Sequence, residues 1–212
     1  ISVNFGVNDS TAIFYSIQSE GKALVKPSPL GFDFSEAPKL GKNLKIVSVA
    51  ETEVNQSWTP VYGERKEIPD QYRQVSVRLK ETTAPEREFE VTFRVYNEGV
   101  AFNYTFLPQP GIQSLTVKKE LTGFQFETDY LCWVSDRAQS EYRKVPLSEI
   151  AEPAERPLVV EAGNKFLAIG EAKLIDFSRM KLQAGEKQYL LVAALFDEPV
   201  VEHAQHELAQ IL

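Results

Sequence analysis

The sequence predicts an all-β protein, and three observations carry that prediction. Short stretches alternate apolar and polar residues with period two, clusters of Gly, Pro, Asn, Asp and Ser separate them, and the 3.6-residue period of an amphipathic helix is almost absent. The composition is that of an ordinary globular chain: of 212 residues, 43% are hydrophobic and 25% charged, with 11 Gly and 12 Pro. This excludes disordered, collagenous and fibrous classes and fits one domain spanning 1–212.

The segments predicted as strands follow in chain order. Residues 1–7 alternate from the first position, as the start of a mature chain or an excised domain would, and 12–18 return after Asn8-Asp9-Ser10. Residues 44–53 and 74–79 are rich in β-branched side chains. The clearest hairpin joins 89–96 to 101–106 through Asn97-Glu98-Gly99, because Asn and Gly tolerate turn conformations and both flanks keep one register. On one face of this hairpin lie Phe89, Val91, Phe93 and Val95, answered by Phe102, Tyr104 and Phe106. Shorter candidates follow at 114–118, 124–127, 158–160, 166–171 and 187–195. The polar stretch 141–157 reads as a long loop. After Pro199, the positions Val201, Ala204, Leu208 and Ile211 have approximate helical spacing, so a short C-terminal helix is expected over 200–212.

Charge and motifs then narrow the function. Lys and Arg number 23 against 30 Asp and Glu, a net charge of −7 with no basic cluster, which argues against nucleic acid or an anionic membrane surface as partner. No apolar run reaches the about 18 residues of a membrane span. Cys132, the one cysteine, sits among Leu131, Trp133 and Val134 and reads as a buried thiol. His203 and His206 have a His-x-x-His spacing that would place both rings on one helix face, but no third ligand accompanies them, and terminal histidines are more often surface residues. Neither a Gly-x-Ser-x-Gly elbow nor a glycine-rich phosphate loop occurs, so no catalytic residue is assigned. Glu81, Glu86, Glu88 and Glu90 read as a solvated strand face and turn. Trp58-Thr59-Pro60-Val61-Tyr62-Gly63-Glu64 places two aromatics and an acid in a loop, suited to stacking on a sugar, to capping the core or to packing on another domain. Asn8-Asp9-Ser10, Asn55-Gln56-Ser57 and Asn103-Tyr104-Thr105 match the glycosylation sequon, which matters only in a eukaryotic secretory pathway.

Several of these segments resemble the N-terminal domain of glycoside hydrolase family 97, a family of α-glucosidases and α-galactosidases. Pro27-Ser28-Pro29-Leu30-Gly31-Phe32 is similar to its early Ser-x-Leu-Gly strand, and Trp58 through Glu64 to its Trp-x-x-x-x-Gly-Glu loop. Phe93-Arg94-Val95-Tyr96-Asn97-Glu98-Gly99-Val100-Ala101-Phe102 is the most specific match, and Ile169-Gly170-Glu171-Ala172 followed by Met180 resembles the segment with the family's Glu-Ala pair. The Thr-Pro-Trp-Arg segment that usually follows in the family has no counterpart here.

The resemblance implies a β-supersandwich of the galactose-mutarotase-like type. It also implies a non-catalytic domain of a calcium-dependent retaining or inverting α-glycosidase, exported to the bacterial periplasm or outer membrane. The catalytic carboxylates would lie in a (β/α)8 barrel of the same polypeptide, the partner of this domain, and the substrate would be an α-linked oligosaccharide. Glu171, matching the glutamate of the Glu-Ala pair, would help hold calcium in the complete enzyme. The alternative is a free-standing carbohydrate-binding or scaffold β-sandwich. A mutarotase-like epimerase ranks last, because both histidines lie in the tail.

Overall fold

In a computed structural model the described residues are 1–174, 177–195 and the backbone of Ala209–Gln210. The strands in chain order are β1 (Ser2–Val7), β2 (Ile13–Ser19), β3 (Lys22–Pro29), β4 (Phe32–Phe34), β5 (Leu44–Trp58), β6 (Ile68–Glu81), β7 (Glu88–Val95), β8 (Val100–Phe106) and β9 (Val117–Glu120). They continue with β10 (Gly123–Gln125), β11 (Leu131–Val134), β12 (Arg143–Pro146), β13 (Leu158–Ala162), β14 (Lys165–Ile169), β15 (Glu171–Lys173), β16 (Met180–Ala184), β17 (Leu190–Leu195) and β18 (Ala209–Gln210). A single 3-10 turn, Leu147–Glu149, is the one helical element among the described residues.

Two six-stranded antiparallel sheets dominate, ordered β1-β2-β3-β10-β17-β16 and β15-β18-β8-β7-β6-β5. A four-stranded sheet, β12-β11-β13-β14, and the pair β4-β9 complete the fold. Aromatic side chains alternate inward from the two large sheets and meet between them. Phe5 of β1 lies 5.4 Å from Phe93 of β7, ring centre to ring centre, and Tyr15 of β2 lies 5.2 Å from Phe102 of β8. This is a sandwich, two apolar faces removing each other from water.

The hydroxyls of the buried tyrosines are satisfied. Tyr15 donates to the Gly123 carbonyl at 2.8 Å, while Tyr104 shares a 2.8 Å bond with Thr122 and accepts from the Gly31 N–H at 3.3 Å. Burial holds both phenols well above the ordinary tyrosine range, with the charge of Glu120 adding to the effect.

The predicted hairpin is β7–β8, in register from Val95↔Val100 to Phe89↔Phe106. Its turn closes with a Tyr96 N–H to Gly99 carbonyl bond at 2.9 Å and needs no positive φ at Asn97 or Gly99. Six strands fall outside the predicted segments: β3, β4, β11, β12, β16 and β18. β3 contains Pro27 and Pro29, which cannot donate to a ladder, and it meets β10 through the single pair Gln125↔Lys26. The strands β4, β11, β12 and β16 have three to five residues each, too short for a periodic signal. The expected loop 141–157 is therefore interrupted: β12 pairs with β11, and Leu147 of the 3-10 turn is buried in the core.

The acidic face expected at Glu81 to Glu90 is also corrected. Glu81 is buried and grips buried Arg87, whose Nε and Nη2 donate to the two carboxylate oxygens at 2.8 and 2.6 Å. The Pro38 carbonyl accepts a further bond from Nη2 at 2.7 Å, and Phe34 lies 5.1 Å from the guanidinium. A fork of donors matched to one carboxylate allows the pair to leave water. Glu88 and Glu86 are countered by Arg78 and Lys80 at the strand edge. The C-terminal helix expected over 200–212 lies outside the described residues except at Ala209–Gln210, where the backbone pairs as a strand.

Candidate functional site

Glu171 follows Gly170 at the break between β14 and β15, where extended chain leaves one sheet for the other. Its side chain is only 4% exposed. One carboxylate oxygen accepts the Met180 N–H at 3.2 Å, and the other is in contact with Nε of Arg156. Arg156 in turn places Nη1 3.3 Å from Glu155. The second oxygen of Glu155 meets Arg179 at 3.1 Å and Lys181 at 3.3 Å. Three elements thus converge: the segment before β13, the start of β15, and β16. The result is a line of charges in which two largely buried carboxylates are held by three cations. It borders an open cleft of about 510 Å³ that is also lined by Ala138, Pro157, Ala168 and Gly170.

Burial raises the Glu171 carboxyl above its ordinary range, and the opposing pulls of Arg156 and the Met180 N–H only partly restore it. Each carboxylate in the cleft is thus committed to a cation. Such an arrangement orients side chains but supplies neither a free general base nor a nucleophile.

A calcium ion takes six to eight oxygen ligands. Among the described residues no group of three or more His, Cys, Asp or Glu side chains is placed to hold a metal. Glu171 offers one carboxylate, already engaged by a guanidinium. The described residues therefore do not make a self-contained calcium site.

The other sequence candidates fall elsewhere. His203 and His206 lie outside the described residues. Cys132 is buried, donates to the Val145 carbonyl at 3.3 Å, and has its thiol pKa raised to about 11 by burial, with a smaller push from Asp129. Such a thiol is not a nucleophile. The Trp58–Glu64 segment does not cap this core, since Trp58, Val61 and Tyr62 all stand exposed. Arg156 and Glu155 were missed in the sequence, where they looked like loop polarity. The adjacent Glu-Arg-Pro was the one available signal.

Fold and site together define a β-sandwich module whose described residues hold an ionic cleft with its two carboxylates paired to cations. The profile described as "Glycosyl-hydrolase 97 N-terminal" matches residues 1–199. The chain belongs to that family. It is 24% identical, over 190 residues and 81% of its length, to the retaining α-galactosidase of Bacteroides thetaiotaomicron, of which it covers 27%. A family 97 enzyme from a Pseudoalteromonas species, solved in complex with acarbose, superposes with a TM-score of 0.87 at 23% identity, covering 99% of this chain and 34% of that one. A β-arabinopyranosidase superposes with a TM-score of 0.85 at 22% identity, covering 99% and 37%. At these identities the structural likeness speaks for the fold alone. The chain spans about a quarter to somewhat over a third of the length of these relatives. Among the described residues no helix is long and apolar enough to cross a membrane.

Proposed function

We propose that the chain is the N-terminal, non-catalytic domain of a calcium-dependent α-glycosidase, an α-glucosidase or α-galactosidase, which packs on a catalytic (β/α)8 barrel of the same polypeptide and helps complete its active site. The observation that carries this reading is the family match over residues 1–199 in a chain that covers 27% of a retaining α-galactosidase. The described carboxylates of the cleft are all committed to cations, which leaves the chemistry to residues beyond this domain. The substrate is an α-linked oligosaccharide, and the enzyme works in the periplasm or at the outer membrane of a bacterium, as fits its bacterial relatives.

Glu171 contributes one oxygen ligand to calcium once the barrel supplies the others, and Arg156 must then release or share its carboxylate. The test compares the 212-residue chain with the full-length enzyme on aryl α-glucosides and α-galactosides. The chain alone is expected to be inactive and the full enzyme active and chelator-sensitive. Hydrolysis by the chain alone that survives Glu171→Ala would reject the reading.

The exposed Trp58 and Tyr62 beside Glu64 favour a second reading, a free-standing carbohydrate-binding sandwich. Saturable quenching of tryptophan fluorescence by maltooligosaccharides would support it.

A further inference from the structure

The β5–β6 hairpin is longer than the sheet that carries it. β5 and β6 pair from Leu44↔Glu81 to Trp58↔Ile68, whereas β7 pairs with β6 only from Lys80↔Glu88 to Arg73↔Val95. The last five pairs, Val54↔Tyr72 to Trp58↔Ile68, therefore form a ribbon of two strands that runs on past the edge of the third by about 17 Å. Along β5 every residue from Lys45 to Trp58 except Val54 is exposed, so neither face is covered and the outer edge is unpaired in its sheet.

The base of the arm is anchored: Tyr72 lies 5.1 Å from Tyr96 and 4.8 Å from the Arg94 guanidinium. Its end is not. Trp58 is 53% exposed, Val61 99% and Tyr62 89%. A two-stranded ribbon has little stability of its own in water, and large apolar side chains clustered at its tip mark a contact surface.

We infer that this arm is the docking element by which the domain grips the remainder of its own polypeptide, with Trp58, Val61 and Tyr62 seated against the catalytic part. The inference rests on the reading of the chain as a portion of a longer enzyme. The occupant follows from the lengths: roughly two thirds of the polypeptide of each relative lies outside the matched region, and it is tethered to this domain. A tethered partner meets the arm at high effective concentration, an advantage that a second copy lacks.

Hydrogen exchange measured on the 212-residue chain and on the full-length enzyme tests the arm directly. Amides of residues 54–72 are expected to exchange at least about a hundredfold more slowly in the full enzyme. The double variant Val61→Asp with Tyr62→Asp should leave the melting of the isolated chain unchanged, since both side chains are in water there. In the full enzyme the same variant should remove the arm's protection. Equal exchange in the two proteins overturns the inference, and so does a concentration-dependent dimer of the isolated chain that protects the arm by itself. Activity of the full enzyme on α-glycosides is read separately, so an active enzyme with an unprotected arm rejects the docking inference and leaves the proposed function standing.

Discussion

Arg156 holds the carboxylate of Glu171 beside a cleft in which the described structure gathers two largely buried carboxylates among cations, and the same guanidinium reaches Glu155. One arginine thereby sets the orientation of two acids on different segments. Arg156→Met should leave Glu171 without its counter-charge while it stays shielded from water. A loss of about 3 kcal/mol is expected in urea denaturation. A loss under about 0.5 kcal/mol, typical of an exposed pair, would show that the network is ornamental.

Arg87 and Glu81 form the most deeply buried ion pair among the described residues. Arg87→Met strands a buried carboxylate and is expected to cost about 3 to 5 kcal/mol. Arg87→Lys should recover little of this, because an ammonium cannot reproduce two parallel bonds to Glu81 and one to the Pro38 carbonyl. Full recovery in the lysine variant, measured by denaturation midpoint, would contradict the geometry.

Gly31 and Gly21 separate crowding from conformation. Gly31 has a φ of +138°, and a Cβ there would lie 2.1 Å from the Leu40 carbonyl oxygen. Gly21 has a φ of +75° with open space around it. Gly21→Ala should cost about 1 kcal/mol from backbone strain alone, and Gly31→Ala several times more because the backbone itself must move. Thermal melting of the two variants checks the order.

The Cys132 thiol has a pKa near 11 in the folded state, above its value in an unfolded chain. The protein should therefore resist a disulfide reagent at pH 8 and react at least about a hundredfold faster once unfolded. The linkage has a definite sign. A raised pKa contributes stability that is complete below the unfolded value and is lost as pH rises towards about 11. Cys132→Ala should flatten that part of the pH profile.

The sequence by itself determined the fold class and the family resemblance. Period-two alternation is local, so β7 and β8 were readable from Phe89, Val91, Phe93, Phe102, Tyr104 and Phe106 alone. The short strands β4 and β16 were not, because their identity comes from the partner that accepts their hydrogen bonds. Glu171 was legible through its resemblance to a family motif. Arg156, Glu155, Arg179 and Lys181 were not, since charges on separate segments carry no mark of meeting. Glu81 looked like surface for the same reason: a glutamate shows its burial only when a guanidinium arrives opposite it. Tertiary structure alone decided which acids became paired and desolvated, and which apolar side chains of the β5–β6 arm were left in water. Both depend on which distant segments cover a residue, as Pro38 and Phe34 cover Arg87, and a periodic pattern does not encode that.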